Sequence, residues 1–172
     1  MDKDFLLIRQ MKSGDETAMD KFVRKYYPVI FRYCQYHISD RAYAEDLVQD
    51  TFERFFRSLP GYRHSGKALN YLYVIAGNLC RDFYRKMPVF AMAEFLEAGE
   101  NPTDKIEGKI DLERALNCLH PEMREVIILY YFQELKLREI ADILGVGLPL
   151  VKYRIKRAKE QLGTLLYKEG EH

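Results

Sequence analysis

Near its end the chain reads "KLREIADIL", then "GVG", then "LPLVKYRIKRAKEQL". Two apolar-periodic segments separated by so short a glycine-containing turn leave little conformational choice. Gly145 can adopt the left-handed backbone that stops the first segment, and Gly147 is an acceptable N-cap for the second. Pro149 then falls in a first helical turn, where its missing N–H costs little. A short helix, a tight turn and a longer helix make a helix-turn-helix.

The second of these helices is polarised. At about 100° per residue, Val151, Ile155, Ala158, Leu162 and Leu165 share one side. Pro149, Tyr153 and Lys156 lie opposite, flanked by Lys152 and Arg157. Lys152, Arg154, Lys156, Arg157 and Lys159 occur with no acid among them, although the whole chain is almost neutral, with 27 Lys+Arg against 26 Asp+Glu. A solvated face is the ordinary account of such a charge run. The preceding short helix and turn favour contact with duplex DNA, where an apolar stripe docks the helix and its outer face meets phosphates and base edges.

The rest of the chain also carries helical periodicity, with no strand pair or hairpin signal. An all-α fold of two small helical domains is expected: residues 1–86, a linker over 87–109, and residues 110–172. The linker is acidic and carries Pro88, Gly99, Pro102 and Gly108, although its "VFAMAEFL" could dock or form a short helix. In the first domain, helical segments are expected at "KDFLLIRQMK", stopped by Gly14; at "ETAMDKFVRKYYPVIFRYCQYHI", interrupted or kinked at Pro28; at "DRAYAEDLVQDTFERFFRSL"; and at "ALNYLYVIAGNLCRDFYRK". In the second, "HPEMREVIILYYFQE" starts on Pro121 with acids behind it, a favourable helix start.

Two of these helices have faces worth chemical attention. Along 45–59, Val48, Phe52, Phe55 and Leu59 make the inward stripe, while Asp46, Asp50 and Glu53 project away with Gln49 beside them. Such a face is either solvated or docks a basic partner. Along 70–86, Leu72, Ile75, Ala76, Leu79 and Phe83 point inward and Val74, Gly77, Asn78, Arg81 and Arg85 outward, with Tyr71 and Tyr73 at the margins. The basic loop "GYRHSGK" precedes this helix, and residues 54–86 hold seven basic side chains against Asp82 alone. Rings for stacking, an amide for a base edge and cations for phosphates suit single-stranded nucleic acid, though helical tyrosines commonly belong to a core.

Other classes are disfavoured. "GYRHSGKA" nearly spells a nucleotide-binding phosphate loop, but Ala68 stands where a magnesium-binding Ser or Thr is needed, and the segment follows a helix rather than a strand. His37, His64, His120 and His172 show no metal-ligand spacing, and no nucleophile–base set can be assembled. No enzyme activity, cofactor, metal or small-molecule substrate is therefore expected. Cys34, Cys80 and Cys118 are far apart and read as small core side chains. The N-terminus lacks a signal-peptide pattern, and "ALNYLYVIAGNLC" falls short of the roughly 18 apolar residues of a membrane span. A cytoplasmic protein without membrane insertion is expected.

Taken together, "FVRKYYPVIFRYCQYHISDRAYAEDLVQDTFERFFRSLPGYR" with "NYLYVIAGNLCRDFYRK" resembles region two of bacterial RNA polymerase sigma factors of the extracytoplasmic-function (ECF) type, in the sigma-70 family. "LERALNCLHPEMREVIILYYFQELKLREIADILGVGLPLVKYRIKRAKEQL" resembles their region four. The resemblance implies a transcription initiation factor that binds core RNA polymerase and directs it to promoter DNA. By that resemblance, Asp46, Gln49, Asp50 and Glu53 dock on the polymerase. Arg63, His64, Lys67, Tyr71, Asn78, Arg81 and Arg85 serve the minus-ten element as it becomes single-stranded, a flipped base being held in the region of the loop at 61–69, with Asn78 near it. Leu148, Pro149, Lys152, Tyr153, Arg154, Lys156 and Arg157 read the minus-thirty-five element as duplex. An anti-sigma factor is the further implied partner. Tyr71 replaces a usual Trp, Val74 and Gly77 stand where Arg is common, and Gly147-Leu148-Pro149 replaces a more polar, Ser-led helix start. The competing readings are a helix-turn-helix regulator acting without polymerase and a helical interaction module without a nucleic-acid role.

Overall fold

The structure, a computed structural model, describes the backbone of residues 3–86 and 107–170 and the side chains of 3–86 and 112–164. Every regular element among these residues is helical, as the periodicity requires. The chain divides into two compact units, Met1–Asp82 and Phe83–His172. Of the expected linker, residues 87–106 with "VFAMAEF" and its neighbours lie outside the described residues, and 107–109 are already helical.

The first unit contains α1 (Lys3–Lys12), α2 (Glu16–His37), α3 (Arg41–Ser58), a 3-10 turn (Leu59–Gly61) and the greater part of α4 (Ala68–Lys86). Local chemistry sets the boundaries. α1 ends at Gly14, whose φ is +87°, a conformation that glycine adopts without a Cβ penalty. Asp15 caps α2 by accepting from the N–H groups of Thr17 and Ala18 at 2.9 and 3.2 Å, and Asp40 caps α3 through Tyr43 at 3.1 Å. α2 runs through Pro28 as one helix, without the interruption that was one of the two outcomes expected there, the other being a kink. Proline's ring deprives only one turn of a hydrogen bond, while Phe22, Tyr26, Ile30, Tyr33 and Cys34 on both sides of it are buried.

Aromatic packing joins the elements of this unit. Phe22 of α2 and Phe55 of α3 are fully buried and stacked, with centroids 4.8 Å apart and planes inclined by 13°. Phe52 and Phe56 meet Phe22 edge-on. Each fully buried Phe contributes about 1.5–3 kcal/mol, and a well-oriented pair about 0.5–1.5 kcal/mol more. Inside α4, Tyr73 and Gly77 are buried, not marginal and outward as the helical projection placed them. Tyr73 packs edge-on against Tyr33 at 5.2 Å, and burial pushes its phenol pKa up. Phe83, assigned to the stripe, is only half-buried.

The second unit contains α5 (Glu107–Cys118), α6 (Pro121–Ile127), a π-helical segment (Ile128–Phe132), α7 (Leu137–Leu144) and α8 (Leu148–Gly170). Arg124 is buried and donates to the carbonyls of Leu116, Asn117 and Leu119 at 2.9, 3.2 and 3.2 Å. A buried cation is tolerable there because it satisfies otherwise orphaned helix-end carbonyls. Cys34 and Cys80 are buried as expected, but Cys118 is exposed, because the last residue of α5 falls off its packed face. The π segment interrupts what the sequence presented as one helix, and Glu134 follows it with φ of +54°.

Phe55→Ala should destabilise the first unit by about 3–5 kcal/mol, measured by urea unfolding followed through signals of residues 16–80. A loss below 1 kcal/mol would mean that this aromatic cluster does not hold the unit together.

Candidate nucleic-acid interface

α3 is amphipathic in charge as well as hydropathy. Ala44, Leu47, Val48, Thr51, Phe52 and Phe55 are buried, and Thr51 satisfies its hydroxyl on the Leu47 carbonyl at 2.7 Å. Asp46, Gln49, Asp50 and Glu53 are all exposed. Glu53 pairs with Arg57 at 2.7 Å, which partly neutralises the C-terminal end of this face. Asp46 and Asp50, one turn apart, form its acidic centre.

The loop between the 3-10 turn and α4 begins at Tyr62, whose ring stacks on Tyr71 of α4, 5.1 Å between centroids and 26° between planes. Tyr62 also meets Phe55 edge-on at 5.5 Å. The Tyr71 hydroxyl donates to Ser58 Oγ at 3.4 Å, so this ring is a half-buried extension of the core. Arg63 and Lys67 are exposed and His64 is half-buried, its Nδ1 3.2 Å from the Tyr62 hydroxyl. Further along α4, Asn78 and Arg85 are exposed. The Arg81 guanidinium donates to Asn78 Oδ1. Arginine can only donate, which fixes that atom as the amide oxygen and orients the Asn78 NH2 as the side chain's donor end. The near-match to a phosphate loop, Gly61 to Ala68, therefore connects a helical turn to a helix, not a strand to a helix.

In the second unit, α7 ends on Gly145 with φ +65° and ψ +34°, the left-handed cap that the sequence called for. The Gly147 carbonyl accepts from Leu150 and Val151 at 3.2 and 3.3 Å, which makes Gly147 the start of α8. Glu139 holds the other end of α7 by accepting from the Lys136 N–H at 3.0 Å. Val151, Ile155 and Ala158 of α8 are buried, Leu162 is half-buried, and Leu165 lies outside the described side chains. Pro149, Lys152, Tyr153, Lys156 and Arg157 are exposed and Leu148 is half-exposed, with Tyr153 at 55%. Arg154 differs from these: its side chain is 15% exposed and lies 3.4 Å from Glu122. It braces α8 against the start of α6. Arg157 pairs with Glu160 at 3.3 Å.

Helical projection did not reveal a groove of about 440 Å³ lined by Tyr130 of the π segment and Leu137 of α7 on one side and by Lys152, Ile155, Lys156, Lys159 and Glu160 of α8 on the other. Lys159 lies over the Tyr131 ring, 5.4 Å from its centroid, and its pKa is raised by a hydrogen bond and charge interaction with Tyr131. The only sequence signal was the pair of tyrosines in "LYYF". Their placement depends on the π turn, which shifts the register by one residue.

These features coincide with known sequence families. Residues 22–87 match Sigma-70 region 2, and residues 109–162 match Sigma-70, region 4. The ECF RNA polymerase sigma factor SigW of Bacillus subtilis is 30% identical over 90% of this chain and 92% of its own length. The chain belongs to the ECF sigma factors of the sigma-70 family.

The ECF RNA polymerase sigma factor SigE of Mycolicibacterium smegmatis is 34% identical, with 92% of this chain and 66% of SigE aligned. The chain thus spans just under two-thirds of the length of SigE, and 64% of that of BldN of Streptomyces coelicolor. Among solved structures, CnrH in complex with the cytosolic domain of CnrY has a TM-score of 0.77 at 26% identity, covering 97% of this chain and 99% of that one. The sigma factor RpoE of Bartonella quintana, in complex with the anti-sigma factor NepR, shares the fold at a TM-score of 0.66 and 24% identity, covering 86% of this chain and 96% of that one.

The geometry of this sigma factor separates structural from outward cations on α8. A double-mutant cycle of Arg154→Ala and Glu122→Ala should show a coupling of about 0.5 kcal/mol in unfolding, followed through NMR signals of residues 121–158. Zero coupling would remove the bracing role of Arg154.

Proposed function

We propose that this sigma factor is a non-catalytic initiation subunit, acting in the cytoplasm, that joins core RNA polymerase and selects promoters. The acidic centre of α3, Asp46, Gln49 and Asp50 with Glu53 at its edge, docks on the polymerase. The loop with Arg63, His64 and Lys67, together with Tyr71, Asn78, Arg81 and Arg85 of α4, engages the minus-ten element and stabilises its opened strand. The outer surface of α8, Leu148, Pro149, Lys152, Tyr153, Lys156 and Arg157, reads the minus-thirty-five element in the major groove. Arg154 supports that surface from behind. The two DNA-facing parts correspond to residues 1–86 and 110–172, joined across 87–109. An anti-sigma factor is the expected negative partner, a reading supported by the complex of the Bartonella quintana homologue with NepR.

The observation that carries this reading is the succession, in one chain, of a region-two match and a region-four match, with an exposed acidic face on the first. A duplex-binding regulator has no evident use for that face. No helix among the described residues is long and apolar enough to cross a membrane.

Adding the purified chain to core polymerase should produce new start sites across a promoter library. Asp46→Arg with Asp50→Arg should abolish association with the polymerase while leaving helicity intact. Absence of chain-dependent start sites, with DNA binding retained, would favour a regulator that acts without polymerase.

Lys152→Ala with Lys156→Ala should weaken duplex binding and reduce the slope of log affinity against log salt by about 2. Arg154→Ala should leave that slope unchanged. An equal effect of all three substitutions would contradict the division between outward and bracing cations.

A further inference from the structure

α1 lies outside the residues matched to Sigma-70 region 2, yet it touches the loop ahead of α4 at two points. Lys12 Nζ donates to the Tyr62 carbonyl at 2.5 Å, and the Phe5 ring lies 6.5 Å from that of His64. The first of these contacts spans 50 residues of chain and the second is longer still, and they come from opposite ends of one short helix. They coincide with the half of the loop that also stacks on Tyr71 and Phe55. Beyond His64, Ser65, Gly66 and Lys67 are exposed, and Gly66 sits at φ +130°.

α1 is itself anchored by burial and by a buried carboxylate. Ile8 and Met11 are buried, and so is Asp4. The Asp4 carboxylate accepts from Lys25 Nζ at 2.6 Å and from the Tyr26 hydroxyl. An apolar stripe alone would tolerate small rotations or slips of α1 on α2. A buried carboxylate does not, because displacement would leave its charge without these partners. Lys25, Tyr26 and Asp4 thus set the register of α1, and that register delivers Phe5 and Lys12 to the loop.

We propose that α1 is a positioning arm for the base-capturing loop. Lys12 and Phe5 hold Tyr62 and His64, so Arg63 and Lys67 meet an incoming single-stranded base from a pre-ordered backbone. Ordering the loop before DNA arrives removes part of the entropy that capture would otherwise cost. It also narrows the geometries in which a base is accepted, so the arm acts on base selectivity as well as on the yield of open promoters. This inference rests on the initiation-factor reading and assigns Lys12 and Phe5 as positioning residues, without contact to DNA.

The test uses the full chain with core polymerase and a set of promoters that differ at one minus-ten position, with open-complex yield as the readout. The Phe5→Ala, Lys12→Met double variant should reduce the discrimination between the preferred base and its substitutes by about fivefold. Polymerase association should be unchanged. Lys12→Arg, which keeps a cationic donor, should retain discrimination. A uniform fall in yield on every promoter, with the discrimination ratio preserved, would reduce α1 to a stability element and overturn the proposal. Full selectivity in the double variant would overturn it as well. A wild-type chain that associates with no polymerase would instead sink the functional reading on which the arm depends, a result distinct from either.

Discussion

The stack of Phe22 on Phe55 is the contact on which the first unit depends. Phe55 is shared: its ring stacks on Phe22 in the α2–α3 core, and Tyr62 and Tyr71 pack against it at steep angles. The helix that buries Phe55 therefore carries Asp46 and Asp50 into solvent, and the same ring supports the loop that bears Arg63, His64 and Lys67. Polymerase docking and strand capture, as proposed, are built on one aromatic cluster. Such a cluster is suited to the task because stacked and edge-on rings bury much area with few rotatable bonds, which limits the movement of whatever is attached.

The second unit solves a different problem, the presentation of a long charged helix from a small core. Val151, Ile155 and Ala158 provide the apolar footing of α8. Arg124 ties off the end of α5, and Arg154 reaches to Glu122 at the start of α6. Two arginines in this unit thus make contacts that hold its helices together. The π segment before α7 has a comparable role: by displacing Tyr130 and Tyr131 it gives Lys152, Lys156 and Lys159 an aromatic wall. Membership of the ECF sigma factors accounts for the order of the two units.

Much of this was legible in the residues. The helix-turn-helix followed from Gly145, Gly147 and the spacing of Val151, Ile155 and Ala158, and the acidic face of α3 followed from the projection of Asp46, Asp50 and Glu53 away from Phe52 and Phe55. Both are local consequences of a 3.6-residue period and of glycine's access to positive φ. Where projection failed, a neighbouring element intervened. Tyr73 and Gly77 are covered by packing that a single-helix drawing does not contain, and Arg154 turns toward an acid 32 positions earlier. Pro28 failed to break α2 because burial on both sides of it outweighed one lost hydrogen bond. The π turn at Ile128–Phe132 was not anticipated, since a one-residue shift of phase within so short and continuously apolar a run as "VIILYYF" is hard to tell from an unbroken helix.

The sequence by itself determined the helical class, the turn at Gly145 and the sorting of acidic and basic residues onto separate helices. Each of these depends on residues within a few positions of one another. Only the tertiary structure decided that Arg154 turns toward Glu122, how the tyrosines line the α8 groove, and that α1 reaches the loop at Tyr62 and His64. Those outcomes depend on contacts between residues far apart in the chain, and their energies are settled by mutual burial and charge pairing rather than by local propensity.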